Sequence, residues 1–476
     1  MKKTLVRGLV VLTSFVLVFA LICRSFLLKS EDGIEQMRSF YLQDENTVDV
    51  LFVGNSQMYC NINTGILWQE YGMSAFNLGG AEQPYWNSYY YIKEALKTQT
   101  PKAIVLSITT PAMRTEDYQP ENWVVTNLYG MKWNKNRIEA TRASTLKDSF
   151  NRLLFPIYTM HSRYTDLSRD DFIDSNYSKS NKGYDLRATI VPFERPDIAG
   201  VTDTVPITEK QETYLRKIIE LTKESDTPLV LAAAPYIIDA EQQKKVNYQI
   251  AIAEEMDVDY IDFNKLYDEI GLDFANDMAE DLHLNIYGGE KFTKYIGKCL
   301  KDKYDIADHR GDSRYTSWEK DAFVHQQELA GVELDYTTDI EKYIAGIMND
   351  NYISYIVMGK GFSGDSGNTV YSELKSRVAN VSDICPNAVT ILNGKNLVFY
   401  SCNNQFSSFI DEGYDKLMLR RTCDEYDNFE TKYYLNETEY SLGDSDMMII
   451  VYDRSLDKIV SFTKWNMDGD SNWNRL

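Results

Sequence analysis

Five short apolar runs, at 49–53, 74–78, 102–108, 228–234 and 260–263, constrain the fold of this chain more than any other feature. Each has the length of a buried strand. Between them lie segments whose apolar residues recur at helical spacing, such as Ile66, Leu67 and Tyr71, or Tyr214, Ile218, Ile219 and Leu221. Helices are expected over 61–72, 86–97, 209–225, 240–255 and 292–301. Strands that alternate with helices join by crossovers, so they pair in parallel and are covered on both faces. The expectation is a three-layer α/β domain, flavodoxin-like, over 47–301. A stretch at 112–205, rich in Tyr, Asn, Arg and Asp, breaks the rhythm and reads as an insertion of short helices, a lid or substrate-binding face.

The N-terminus obeys a different solvent. Lys2, Lys3 and Arg7 precede the uncharged residues 8–23, and Arg24 and Lys29 follow. Flanking apolar residues and snorkelling arginines extend this run to the thickness of a bilayer core, about 30 Å. Basic residues lead and acidic ones (Glu31, Asp32, Glu35) follow. The positive-inside rule therefore puts the N-terminus in the cytoplasm and the bulk of the chain outside. No small-x-small cleavage site ends the run, and Ile22 stands before Cys23 where a lipoprotein needs a small residue. A single-pass membrane anchor over 1–28 is expected, with a polar linker or helix over 29–46. Residues 302–317 are charged and read as a second linker. Residues 318–476 read as a β-rich α+β domain, with strands at 352–358, 388–392, 396–401, 432–435 and 447–452 and a helix at 369–378.

A net charge of -21 argues against nucleic acid as a partner, since a nucleic-acid binder needs a basic face. The six cysteines and four histidines form no Cys-x-x-Cys or His-rich cluster, so neither metal nor cofactor is expected. Cys385, Cys402 and Cys423 allow one bridge of unspecified pairing. Gly364-Asp365-Ser366-Gly367 reads as a turn with a helix cap. Asp468-Gly469-Asp470 does not have calcium-loop spacing. Asn176, Asn380 and Asn436 begin glycosylation sequons.

In an open parallel sheet, functional groups gather at the carboxyl ends of the strands. Gly54-Asn55-Ser56 follows the first strand, Gly79-Gly80 follows the second, and Glu280-Asp281-Leu282-His283 precedes the last helix. A serine hydroxyl is a weak nucleophile unless a base takes its proton and a carboxylate orients that base. Ser56, His283, and Glu280 or Asp281 are the residues for those roles. The backbone amides of Ser56 and Gly80 are candidates to stabilise an oxyanion. Tyr85-Trp86 and Tyr89-Tyr90-Tyr91 follow the glycine loop, and aromatic faces stack on sugar rings.

These segments resemble the SGNH/GDSL hydrolase superfamily over residues 47–301. Gly54-Asn55-Ser56 is similar to its nucleophile block, Asn77-Leu78-Gly79-Gly80 to its glycine block, and Asp281-Leu282-His283-Leu284-Asn285 with Gly288 and Thr293 to its terminal block. The family places its acid three residues before the histidine, here Glu280, while Asp281 stands two before. The family's oxyanion asparagine follows the third strand. Here that place holds Ser107-Ile108-Thr109-Thr110-Pro111, which leaves Gln83, Asn87 or a threonine hydroxyl as the substitute. With Trp86, Gln83 and Asn87 are the substrate-binding candidates. The nearest resemblance is to membrane-anchored proteins of teichoic acid D-alanylation and alginate acetylation. It implies an extracytoplasmic O-acyltransferase or esterase acting on a surface polysaccharide or teichoic acid, with a membrane-bound O-acyltransferase as partner. Tyr355-Ile356-Val357-Met358 and Met448 to Asp453, with Ile459-Val460, resemble the interleukin-like EMT inducer domain, which implies carbohydrate binding and no catalytic residue. The rival from another class is a non-catalytic glycan-binding or scaffolding protein of an envelope polymer complex. The separation of Ser56 from His283 discriminates between them.

Overall fold

The structure is a computed structural model that describes residues 2–27, 32–167, 169–172, 178–359, 388–401, 406–409, 418–422, 432–435, 438–467 and 473–476. It divides into two compact units, Met1–Phe323 and Val324–Leu476. The turn at 364–367, the helix expected over 369–378, the 468–470 stretch, Asn176, Asn380, Asn436, Cys385, Cys402 and Cys423 lie outside the described residues.

The first unit is built on five parallel strands: β1 (Val50–Gly54), β2 (Ala75–Gly79), β3 (Ala103–Ser107), β4 (Leu229–Ala233) and β5 (Asp259–Asp262). Their order is β2-β1-β3-β4-β5, the flavodoxin-like doubly wound arrangement, whose crevice opens where the strand order reverses, between β1 and β3. Among the described residues, these α-helices accompany it: α1 (Lys2–Ser25), α2 (Ile34–Phe40), α3 (Ser56–Asn61), α4 (Thr64–Tyr71), α5 (Tyr85–Ala95), α6 (Thr109–Met113), α7 (Glu121–Leu128), α8 (Lys135–Ser144), α9 (Phe150–Leu154), α10 (Pro156–Met160), α11 (Glu209–Glu224), α12 (Ala240–Glu255), α13 (Tyr267–Ile270) and α14 (Ile286–Lys303). Helix α1 is long and apolar enough to cross a membrane, and its side chains are not buried in the protein.

Successive strand residues point to opposite faces, and β1 feeds two cores. Leu51 and Val53 join Phe76, Ile104, Leu106, Leu231 and residues of α2, α5, α11 and α12 on one side. Val50 and Phe52 join Val105, Val230 and residues of α3, α4 and α14 on the other. Phe52 is fully buried, and truncating such a ring to Ala costs about 3–5 kcal/mol.

Of the stretch at 29–46, read as linker or helix, residues Ile34–Phe40 form a helix, and the linker expected at 302–317 is packed structure. Ile34, Met37 and Phe40 of α2 are buried in the first core. Their 3,3 spacing gives a helix of about two turns a complete apolar face. In the charged 302–317 stretch, Tyr315 is buried, stacks on Trp68 and on His309, and precedes Trp318, whose indole N–H donates to Ala75 O at 3.0 Å. Two aromatic residues supply the burial that the surrounding charge conceals. The unit boundary falls inside α15 (Thr316–Tyr336).

The second unit adds α16 (Ile340–Gly346) and strands β6 (Tyr352–Met358), β7 (Val389–Asn393), β8 (Asn396–Ser401), β9 (Phe406–Phe409), β10 (Met418–Thr422), β11 (Lys432–Leu435), β12 (Thr438–Ser441), β13 (Met447–Asp453), β14 (Lys458–Met467) and β15 (Trp473–Arg475). A six-stranded sheet runs β15-β14-β13-β6-β7-β8 and a four-stranded sheet runs β12-β11-β10-β9. Among the described residues, the strand pairings in both sheets are antiparallel, as in β13 with β6. Central strands β6 and β13 are buried throughout. Ile356 and Ile449 pack with Tyr343 of α16 on one face; Tyr355 and Ile450 pack with Tyr433 and Leu435 of β11 on the other.

Candidate active site

Strand β1 stops at Gly54, whose φ of +146° is a conformation that L side chains rarely adopt. A Cβ there would meet Ser107 Cβ at 2.4 Å. Glycine therefore lets β1 and β3 close up and turns the chain sharply into Asn55. That residue is the N-cap of α3, and its Oδ1 accepts from Ser107 Oγ at 3.0 Å. Ser56 is thus the first residue of α3, at the carboxyl end of β1 and beside β3. Its amide occupies a helical position with no intrahelical acceptor.

His283 comes from the loop before α14. An isolated bridge pairs Met278 with Leu284, and Ala279 N–H donates to His283 O at 2.9 Å. Helix α3 holds this loop from the other side. Gln57 Nε2 donates to Leu282 O at 3.1 Å, and Leu284 N–H donates to Asn61 Oδ1 at 3.0 Å. Gln57 and Asn61 lie one helical turn apart, so they grip the residues on both sides of His283. The next step is fixed too: Asn285 caps α14 by accepting from Tyr287 and Gly288 N–H.

The result is a continuous chain of three side chains. His283 Nε2 lies 2.6 Å from Ser56 Oγ. His283 Nδ1 lies 2.5 Å from Glu280 Oε1. The His283 side chain is 9% exposed, while Ser56 is half-buried and Glu280 reaches solvent. Burial lowers the His283 pKa from its ordinary value; the Glu280 hydrogen bond and charge oppose this, and the Arg187 charge assists it. The ring is held neutral and able to accept a proton. Of the two acids open in the sequence, Glu280 makes the contact. Asp281 is exposed, and its backbone carbonyl accepts from Ile237 N–H at 2.8 Å. Both ring nitrogens are engaged by other residues, so Asp281 acts on the ring only through space.

Four residues expected at the site are buried or already engaged. Gly80 N–H donates to Gly54 O at 3.0 Å, the slanted bond that closes the last parallel pair, Gly54 with Gly79, and its amide is not available to an oxyanion. Asn87 is fully buried; it accepts from Ser144 Oγ at 2.7 Å and donates to Gln119 at 3.2 Å, so it fastens α5 to the insertion. Gln83 is buried and donates to Ser88 Oγ. Trp86 is also buried, under Lys210 Nζ at 3.8 Å, and lines a cavity of about 310 Å³ with Thr110, Arg114 and Gln119.

Sequence reasoning missed Arg187, within the insertion. Its backbone carbonyl accepts from Ile286 N–H at 2.8 Å, and nearby Asp185 N–H donates to Tyr59 O at 2.8 Å. The segment therefore bridges α3 and the start of α14. The guanidinium pairs with Asp185 at 2.9 Å and its field reaches His283. Cys60, the other nucleophile type on α3, is buried, and burial pushes its thiol pKa well up. Asp32, five residues past Leu27 at the foot of α1, also meets the site. Its carbonyl accepts from Ala81 N–H at 2.7 Å and its carboxylate from Tyr59 Oη at 3.2 Å. Among the described residues, no group of three or more His, Cys, Asp or Glu is placed to hold a metal ion.

No protein-family model matches the chain, and no curated protein does. Among solved structures, the chain is similar to a protein assigned to the G-D-S-L lipolytic family from Desulfitobacterium hafniense DCB-2, at 11% identity and a TM-score of 0.28, over 54% of this chain and 100% of that one. It is also similar to an acetylxylan esterase from Geobacillus stearothermophilus, at 13% identity and a TM-score of 0.29, over 55% of this chain and 95% of that one.

Proposed function

We propose that this protein is a serine-dependent esterase or O-acyltransferase of the SGNH type, held at the cell membrane by α1 with its bulk outside the cytoplasm. It removes an O-acyl group from a surface polysaccharide or teichoic acid, or transfers one onto it. The observation that carries the reading is the hydroxyl–imidazole–carboxylate chain, Ser56 to His283 to Glu280, with contacts of 2.6 and 2.5 Å.

Ser56 Oγ attacks the acyl carbonyl as His283 Nε2 takes its proton. Glu280 holds Nδ1–H and stabilises the imidazolium that forms. The oxygen that gains charge meets the Ser56 amide, at a helix start where an N–H is unspent; one such donor is worth about 3–4 kcal/mol. Nε2–H then protonates the leaving group, the sugar oxygen in an esterase or the acyl donor's heteroatom in a transferase, and the acyl group stays on Ser56. Water hydrolyses that ester in an esterase; an acceptor hydroxyl takes the acyl group in a transferase. His283 serves as base again in the second half. The β-rich second unit, by its resemblance to a carbohydrate-linked domain, would hold the polymer, and a membrane-bound O-acyltransferase would supply the acyl group.

The test is covalent trapping. A fluorophosphonate labels the full-length protein on Ser56, and 4-nitrophenyl acetate is turned over. A Ser56→Ala chain that still takes the label removes Ser56 from the role. Adding an O-deacetylated surface polysaccharide to the acyl-enzyme separates transfer from hydrolysis.

A further inference from the structure

We propose that the insertion and the outer end of α1 form a binding site for an anionic membrane lipid, with the lipid phosphate on Arg137. The site goes beyond the ester chemistry, but rests on the reading of α1 as a membrane helix.

A cavity of about 650 Å³ opens beside the last turns of α1. Its wall includes the cations Arg24, Arg38, Lys132 and Arg137, and among the described residues no Asp or Glu lines it. That is an unusual gathering in a chain with a net charge of -21. Arg137, on α8, is only 4% exposed. Its Nη1 donates to Met131 O at 2.9 Å, and its guanidinium lies 4.3 Å over the Trp133 ring. Its Nη2 is buried with no hydrogen-bond partner. Burial lowers its pKa to about 10, so it still carries its charge at neutral pH. A buried guanidinium with an unused donor and no carboxylate is costly unless an anion arrives. Phosphate oxygens match its planar donors. Lys132, on the rim, holds its ammonium 4.2 Å over the Tyr41 ring and is otherwise exposed.

The other wall decides for a lipid over a free anion. Val16, Phe19 and Ala20 of the membrane helix form it, and Phe19 meets Phe155 of the insertion at 6.0 Å. A ligand here touches hydrocarbon at one end and cations at the other. The insertion is docked to α1 by Arg163, whose Nη1 donates to Phe26 O and Leu27 O. Trp133, Tyr158, Tyr164 and Phe172 of the same insertion stay exposed, and such aromatic residues settle at the headgroup level of a bilayer.

Native mass spectrometry of the full-length chain, released from bilayers of equal phosphatidylglycerol and phosphatidylcholine, tests the site. One retained phosphatidylglycerol in strong preference to phosphatidylcholine is expected. Lys132→Gln should weaken that preference about fivefold, and Arg137→Gln should abolish it. Thermal unfolding reports whether Arg137→Gln folds; if it does not, Lys132→Gln alone decides, because its side chain is on the surface. Equal retention of the two lipids, or a preference unchanged in every folded variant, overturns the proposal. Alkaline extraction of the same bilayers separates the two failures. A chain released by alkali sinks the membrane reading together with the lipid site, whereas one that stays embedded without lipid preference sinks the site alone.

Discussion

Strand β1 carries an imidazole–carboxylate pair at each end, and the two pairs have nearly the same length. At its amino end, His309 Nε2 lies 2.6 Å from Asp49 Oδ2. At its carboxyl end, His283 Nδ1 lies 2.5 Å from Glu280 Oε1. What differs is the rest of each ring. His309 lies flat on Tyr315, with ring centres 3.9 Å apart, and its backbone N–H donates to Gly72 O. His283 turns its second nitrogen to a hydroxyl at a helix start. A histidine beside an acid is therefore no sign of catalysis by itself. The third group, and the end of the sheet at which the pair sits, distinguish a packing device from a reactive one.

The largest test of this contrast is Ser56→Ala, which should cut ester turnover by about 10³-fold or more, while His309→Gln leaves kcat intact. Glu280→Gln comes next. It should lower kcat by about 10- to 10³-fold, less than a fully buried triad acid would, because the carboxylate reaches water; Asp281→Asn should change kcat by less than about threefold. The pH profile gives a smaller, signed effect. Burial and the Arg187 charge lower the His283 pKa, so the acid limb of kcat/KM should fall below the ordinary value of about 6.5. Arg187→Gln should move that limb up, and Glu280→Gln should move it down. The same lowered pKa means that the unfolded chain takes up the proton first. The contribution of His283 to stability is then present above pH 6.5 or so and lost as pH falls toward the folded value. The smallest effect is His309→Gln on thermal unfolding, a loss of about 1 kcal/mol, read as a Tm shift of a few degrees.

Much of this was legible in the chain. The central strands were, because a strand buried on both faces is apolar along its length, as in Val50–Gly54; β5, a half-exposed edge strand, was legible only from its place in the alternation. The Ser56–His283 juxtaposition was, because strand ends in a parallel sheet converge whatever lies between them. Adjacent acids were not separable: Glu280 and Asp281 differ only in which way a tight loop turns them. The Gly80 amide was misassigned because its partner depends on where the β1–β2 ladder stops, which no residue type marks. Gln57, Asn61 and Arg187 were missed because each acts on a segment distant in sequence. The burial of Tyr315 and Trp318 was hidden by charged neighbours.

The contact of Asp32 with Ala81 and Tyr59 has a reach implied in it. Five residue steps separate Leu27 from Asp32, and a fully stretched chain covers no more than about 18 Å in that distance. Under the function proposed above, with α1 in a bilayer, that short leash would keep Ser56 close to the membrane surface, so a polymer substrate would be met as it emerges there.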